Sequence, residues 1–165
     1  MASRVTILNQ EQIGQRIKRM AYEIWEKHSK EQEIVILGIA DGGAVLAESL
    51  KNVLTKVSPL KVKLETFSMD KQNPLSSEIT IKQNVQGRNV VLVDDVANSG
   101  KTLLYAMKPL LTSEPKSIQL VVLVDRKHKQ YPIVPDVIGY SVATTLQEHI
   151  RVDWEGKKLT GAFLE

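Results

Sequence analysis

The sequence predicts an α/β fold with a mainly parallel central sheet flanked by helices. Two observations carry that reading. Three short, β-branched runs, Ile34–Ile39, Val90–Val93 and Ile118–Val124, apolar apart from Gln119, have the character of strands buried on both faces. The first two are each followed by a glycine-containing turn and a stretch of helical periodicity, the strand–turn–helix order that builds parallel sheets. Composition agrees: 165 residues with 42% hydrophobic and 25% charged side chains suit one globular domain spanning 1–165.

Asn9 reads as a helix N-cap with Gln12 three residues on, and Ile13, Ile17, Met20, Ala21 and Ile24 follow at helical spacing. After the strand Ile34–Ile39 come Gly42-Gly43 and a second helix marked by Leu46, Leu50, Val53 and Leu54. Residues Lys61–Phe67 alternate like a strand, and the polar segment Ser68–Ser77, with Pro74 and no hydrophobic period, reads as a mobile loop. A short alternating run, Glu78–Lys82, precedes the turn at Gln86-Gly87 and the strand Asn89–Val93. Leu103, Leu104, Met107, Leu110 and Leu111 predict one helix ending before Pro115. Beyond Ile118–Val124, Asp136–Val142 reads as a further strand, and Ile150–Asp153 with Lys158–Phe163 as a closing hairpin around Glu155-Gly156. Trp25 and Trp154 read as core or interface residues, and His128, among lysines, as a surface residue.

Composition also excludes. With no cysteine, disulfides, thiolate metal sites and cysteine nucleophiles are ruled out, so any chemistry rests on oxygen and nitrogen groups. No apolar run approaches the roughly 20 residues that span a bilayer, and Met1-Ala2-Ser3-Arg4 leads into no signal-peptide-like stretch. A cytoplasmic location and no membrane partner are therefore expected. A net charge of +3, from 22 basic and 19 acidic residues, mildly favours anionic partners without identifying one.

The stretch Val90-Val91-Leu92-Val93-Asp94-Asp95-Val96-Ala97-Asn98-Ser99-Gly100-Lys101-Thr102 is the most informative. Its strand delivers an acidic pair to the carboxyl edge of the sheet, where open α/β folds bind ligands. Asp94 and Asp95 can accept hydrogen bonds from a vicinal diol or organise Mg²⁺ through water. Small residues at Ala97, Ser99 and Gly100 let backbone N–H groups close on a phosphate, with the hydroxyls of Ser99 and Thr102 as further donors and Lys101 adding charge. The other reading of the pair, as a strand end capping a turn, needs no ligand. Neither the glycine-rich dinucleotide fingerprint nor the lysine-containing P-loop pattern is present.

This stretch resembles the phosphoribosyl-pyrophosphate (PRPP) signature of type I phosphoribosyltransferases: four apolar residues, two acids, an apolar residue and a small Gly-containing loop ending in Thr. The resemblance continues through Leu123-Val124-Asp125-Arg126-Lys127-His128, Tyr131-Pro132-Ile133 and Asp136-Val137-Ile138-Gly139, which is similar to the C-terminal half of the bifunctional pyrimidine-operon attenuator/uracil phosphoribosyltransferase family. It implies the type I phosphoribosyltransferase fold with a small hood and a flexible loop. It also implies transfer of ribose 5-phosphate from PRPP to a nucleobase, uracil first, with Mg²⁺ as cofactor, and a homodimer or higher oligomer. By the same analogy Asp94 and Asp95 hold the ribose hydroxyls and, through water, the metal; Ala97, Asn98, Ser99, Gly100, Lys101 and Thr102 cradle the 5′-phosphate. Ala40, Asp41, Gly42 and Gly43 face pyrophosphate, Ser68–Ser77 forms the lid, and Val124, Asp125, Val137 and Ile138 line the base.

Departures from the pattern matter. The family's Gly-Ile-Lys-Thr-Arg-Gly pyrophosphate loop is Gly38-Ile39-Ala40-Asp41-Gly42-Gly43 here, without its two cations. The lid's Tyr-Arg-Asp is approximated by Met69-Asp70-Lys71, and Val137 stands where an aromatic usually stacks on the base. These losses leave two alternatives open beside the uracil enzyme: a purine phosphoribosyltransferase, and a nucleotide-responsive RNA-binding regulator with little transferase activity. The regulator requires a basic patch drawn from Lys127, Lys129, Arg151, Lys157 or Lys158; a scattered, solvated set of charges is the competing reading.

Overall fold

The computed structural model describes residues 3–145 and 147–165; Met1 and Ala2, part of the leader reading above, lie outside the described residues. Five parallel strands form the central sheet in the order β3-β2-β4-β5-β6, where β2 is Glu33–Ile39, β3 Lys61–Phe67, β4 Asn89–Ala97, β5 Ser117–Arg126 and β6 Val137–Val142. The apolar runs read from the sequence are its middle strands. Alternate residues of β2 feed two cores. Ile34 and Ile36 pack with helices α1 (Gln10–Lys27) and α2 (Gly42–Val57), whereas Val35, Leu37 and Ile39 face the other side, against α3 (Lys101–Ala106) and α4 (Lys108–Leu111). Burial on both faces explains why β2 shows no polar alternation.

The capping box at the start of α1 forms as its sequence predicts: Gln12 N–H donates to Asn9 Oδ1, and Asn9 N–H to Gln12 Oε1, both at 2.9 Å. The helix ends at His28, which is 2% exposed and whose Nε2 lies 3.1 Å from Gln119 Oε1 on β5.

Three expectations change. Glu78–Lys82 is not a strand: the Glu65 carboxylate accepts the N–H groups of Lys82 and Gln83 at 2.7 and 2.8 Å, while Ile79 and Ile81 pack on the second core, so the segment lies beside the sheet's edge strand without a ladder. The predicted Leu103–Leu111 helix is two short ones, with Pro109, which has no N–H to donate, in the first turn of α4. The hood also has a strand that the sequence reading missed. β1 (Val5–Asn9) pairs antiparallel with β8 (Lys158–Leu164), and β8 with β7 (Ile150–Glu155), giving a separate three-stranded sheet in the order β1-β8-β7. Among the described residues no helix is long and apolar enough to cross a membrane.

Candidate active site

The chain leaves β2 toward β3 on one side and leaves β4 toward β5 on the other, so the carboxyl ends of β2 and β4 flank the point where the winding reverses, the usual ligand crevice of an open parallel sheet. Both chemical motifs meet there. At the end of β2 the Ala40–Asp41 peptide is cis, Ala40 N–H donates to Phe67 O, and α2 begins with Gly42-Gly43 packed on the acid pair. A side chain at Gly43 would sit 2.8 Å from both Val93 O and the Asp94 Cα, and one at Gly42 would overlap the Asp95 carboxylate. Glycine at both positions is what lets the turn lie directly against Asp94 and Asp95. Asp41 itself is exposed and makes no side-chain cap.

Asp94 is 1% exposed, and its Oδ1 accepts the Asp95 N–H at 3.0 Å and faces the Lys71 ammonium at 3.3 Å. Burial, reinforced by the neighbouring Asp95 charge and only partly opposed by Lys71, pushes the Asp94 carboxyl well above the usual carboxylate range. Asp95 is half-buried, and its Oδ1 accepts the Val96 N–H at 2.9 Å.

The segment Ala97–Thr102 runs from the last residue of β4 through a turn at Asn98–Gly100 into the start of α3, and the turn is held from three directions. Ser99 O accepts the N–H groups of Gln130 and Tyr131 at 3.1 and 3.0 Å, and Ser99 Oγ accepts the Lys101 N–H at 3.2 Å. Gly100 sits at φ +85°, where only glycine is unstrained, and a Cβ there would lie 2.6 Å from Ile133 Cγ2. The Asn98 side chain faces the hood, bonded twice to the Ile150 main chain. Over this edge lies the segment 68–77. Its first turn is organised by Asp70 Oδ1, which accepts the N–H groups of Gln72 and Asn73 at 3.0 and 2.9 Å, and Lys101 Nζ donates to Gln72 O at 3.0 Å.

These parts enclose a cavity of about 480 Å³, within the range of small-molecule sites. Asp94, Asp95 and the 97–100 loop form its floor, Lys71 one rim, and His149, Arg151 and Trp154 of the hood its opposite wall. Of the two readings of Trp154, core or interface, burial removes the first: it is 39% exposed on the cavity wall, and a register irregularity between Asp153 and Trp154 interrupts the alternation of β7. Val124 and Val137 lie in the core, at 0% and 4% exposure, and do not line this cavity. Asp125 pairs with Lys129 across 2.7 Å, both side chains being almost fully buried. The half-buried Ile138 sits on β6, its carbonyl accepting from Arg19.

Of the five basic residues weighed as an RNA patch, Lys129 is held by Asp125, Arg151 by Asp153 and Lys157 by Glu48, while Lys127 and Lys158 are exposed; His128 is exposed as well. Among the described residues no cluster of three His or acidic side chains is placed to hold a metal. Two carboxylates without a third ligand fit a hard divalent cation that keeps most of its waters and takes further oxygens from a phosphorylated ligand.

A twisted parallel sheet, an acid pair at the winding switch and a small-residue loop beside it define a phosphoribosyltransferase core. The chain matches the phosphoribosyl transferase domain family over residues 3–154, and it belongs to that family. Among curated proteins it is 36% identical over 156 residues to the bifunctional protein PyrR of Fusobacterium nucleatum, covering 88% of each chain. It is 31% identical over 159 residues to the bifunctional protein PyrR of Haemophilus ducreyi, covering 90% of this chain and 89% of that one. Its fold is shared with the hypoxanthine phosphoribosyltransferase of Trypanosoma cruzi, at a TM-score of 0.78 and 18% identity over 95% of each chain. It is also shared with a hypoxanthine-guanine phosphoribosyltransferase of Bacillus anthracis, at a TM-score of 0.73 and 22% identity over 88% and 85% of the two chains.

Proposed function

We propose that this protein transfers ribose 5-phosphate from PRPP to uracil, forming UMP and pyrophosphate. The observation that carries the reading is one cavity lined by the acid pair together with Ala97–Gly100 and Thr102, with the Gly42-Gly43 turn packed directly against the two acids. In the reaction a ring nitrogen of the base bonds to C1 of PRPP, the C1–oxygen bond to pyrophosphate breaks, and the nitrogen's proton passes to solvent. As that bond loosens, positive charge develops on the ribose and negative charge on the leaving group, so catalysis is electrostatic positioning and needs no nucleophilic side chain.

Each part of the site has a task in that step. Asp94 and Asp95 accept the ribose hydroxyls, and the net negative charge of the pair favours the cationic ribose. They would also hold, through water, an Mg²⁺ brought with PRPP, which would supply positive charge for the pyrophosphate oxygens. The 5′-phosphate is received by N–H groups of the 97–102 loop with the hydroxyls of Ser99 and Thr102 and the charge of Lys101. Ala40–Gly43 presents main-chain groups and no cation to pyrophosphate, which leaves Lys71 of the lid as the nearest cationic side chain to the acid pair. The base lies toward the carboxyl end of β5, beside Asp125 and with Val124 behind it in the core, whereas Val137 and Ile138 open β6 at its amino end, level with Val121 and Val122, and stand back from that edge. A closed lid excludes water, whose attack would waste PRPP.

Uracil stands first because the C-terminal half resembles the pyrimidine family and the relatives named above are 31 and 36% identical to this chain over most of its length. A purine base stands second, since the structural neighbours act on hypoxanthine or guanine. The deciding experiment incubates the protein with PRPP, Mg²⁺ and each common base in turn and identifies the nucleotide formed. UMP formation is expected. Turnover of hypoxanthine or guanine with none of uracil reverses the base assignment, and tight PRPP binding without turnover of any base favours the RNA-binding regulator.

A further inference from the structure

The Asn98 carboxamide exchanges two hydrogen bonds with the main chain of a residue 52 positions away: Nδ2 donates to Ile150 O at 3.1 Å, and Ile150 N–H donates to Asn98 Oδ1 at 3.3 Å. This is the pairing that two residues make across a β-ladder, with a side chain standing in for one backbone. Few side chains can do it: an aspartate lacks the donor, a serine lacks the reach and an alanine lacks both groups. Ile150 is itself fixed, 1% exposed in the core and paired with Leu164 of β8, while His149 exchanges two main-chain bonds with Glu165. The amide therefore fastens the small loop at the end of β4 to the first residue of β7, the strand that carries Arg151 and Trp154 into the cavity wall.

We propose that Asn98 is a positioning residue that couples occupancy of the Ala97–Thr102 loop to the placement of the hood. The inference rests on the reading that this loop receives a phosphate. An anion fixing the loop fixes Asn98, and through its two bonds fixes the start of β7; with the loop empty, the hood strand loses that support whenever the loop moves. Asn98 thus serves the reaction through its side chain without touching the reacting atoms, and its replacement separates phosphate binding from assembly of the cavity.

Hydrogen exchange followed by mass spectrometry tests this, with ribose 5-phosphate as the probe. In the wild-type protein, saturating ribose 5-phosphate is expected to slow exchange in a peptide covering 98–104 and, at least fivefold, in one covering 149–155. In Asn98→Ala the loop peptide is still protected, the hood peptide is not, and turnover with PRPP falls about tenfold in kcat with KM for PRPP within threefold. Asn98→Asp, which keeps the acceptor and loses the donor, gives intermediate hood protection and supplies the measurement if the alanine variant does not fold. Equal protection of the 149–155 peptide in wild type and both variants overturns the coupling while leaving the phosphate reading intact. Absence of protection at 98–104 in the wild type overturns the phosphate reading and the coupling with it.

Discussion

The Lys71 ammonium sits 3.3 Å from Oδ1 of Asp94, so a cation from the lid neutralises the carboxylate that the sheet buries most deeply. The contact ties the 68–77 segment to the floor of the site, with Lys101 Nζ on Gln72 O as a second tie. On the proposed reading of the pair, a ribose hydroxyl arriving at Oδ1 of Asp94 competes with Lys71 and releases its ammonium beside the Ala40–Gly43 turn, which packs on the acids and has no cation of its own.

Replacing Lys71 with Met is therefore expected to loosen the lid and to push the Asp94 carboxyl still higher, since the ammonium is what opposes burial there. Limited proteolysis should cut within 68–77 faster in the variant, and a carboxyl titration followed by NMR should move up. Because the lysine is 39% exposed, the change in global stability should stay under about 1 kcal/mol. An unchanged cleavage rate and an unchanged titration would show that the contact does not hold the lid.

Asp94→Asn and Asp95→Asn should each lower kcat/KM by about tenfold to a hundredfold, corresponding to roughly 1–3 kcal/mol of lost transition-state stabilisation. The effect on folding runs the other way at Asp94. A neutral amide of the same shape relieves the burial of a carboxyl, so the thermal midpoint of Asp94→Asn should match or exceed that of the wild type. Steady-state kinetics beside thermal unfolding separates the two, and wild-type turnover in both variants would remove the pair from the reaction.

His28 gives stability an acid-sensitive component. Burial, opposed by the hydrogen bond to Gln119, holds the imidazole below its ordinary value of 6.5. The unfolded chain takes up the proton as pH falls through 6.5 while the folded chain still refuses it, so this contribution is complete above 6.5 and is lost as pH falls from there toward the depressed folded value. Urea unfolding of wild type and His28→Asn between pH 7.5 and 5 should show the wild type losing stability faster toward acid. Parallel slopes would mean that the buried ring titrates normally.

Gly100→Ala is expected to cost roughly 1–3 kcal/mol and to weaken PRPP binding, because φ +85° is unfavourable for alanine and its methyl would meet Ile133. Isothermal titration with PRPP and Mg²⁺ together with chemical unfolding measures both, and an alanine variant as stable and as tight as wild type would show that the turn relaxes freely.

How much of this was legible beforehand follows from the range of the interactions involved. Asp94, Asp95 and Ala97–Thr102 are placed by one strand and the turn after it, and local order sufficed to find them, as it did for the Asn9–Gln12 capping box. Strand β1 was not legible because its partner is β8, more than 140 residues on, and its five residues are mostly exposed. Glu78–Lys82 misled because alternation is a property of a side-chain pattern, whereas a ladder also needs a free strand edge; here Glu65 takes the N–H groups instead. The cavity wall at Trp154 escaped notice because a register irregularity beside it breaks the alternation on which a core assignment rests. Asn98 was readable as a loop residue, but its pairing with Ile150 depends on how the hood folds back.

That exposed tryptophan provides the last prediction. The protein has two tryptophans, Trp25 packed against the core and Trp154 on the cavity wall, so in a Trp25→Phe background the emission comes from Trp154 alone. A nucleotide filling the cavity removes water from the indole and sets an absorbing base and charged phosphate near it, so UMP should change the intensity and shift the emission toward shorter wavelength in a saturable manner. Asp95→Asn in the same background should move the midpoint to higher UMP, because the diol contact is weakened while the reporter is untouched. Binding of UMP by calorimetry with no accompanying change in Trp154 emission would place the nucleotide away from the hood and exclude the wall that His149, Arg151 and Trp154 form.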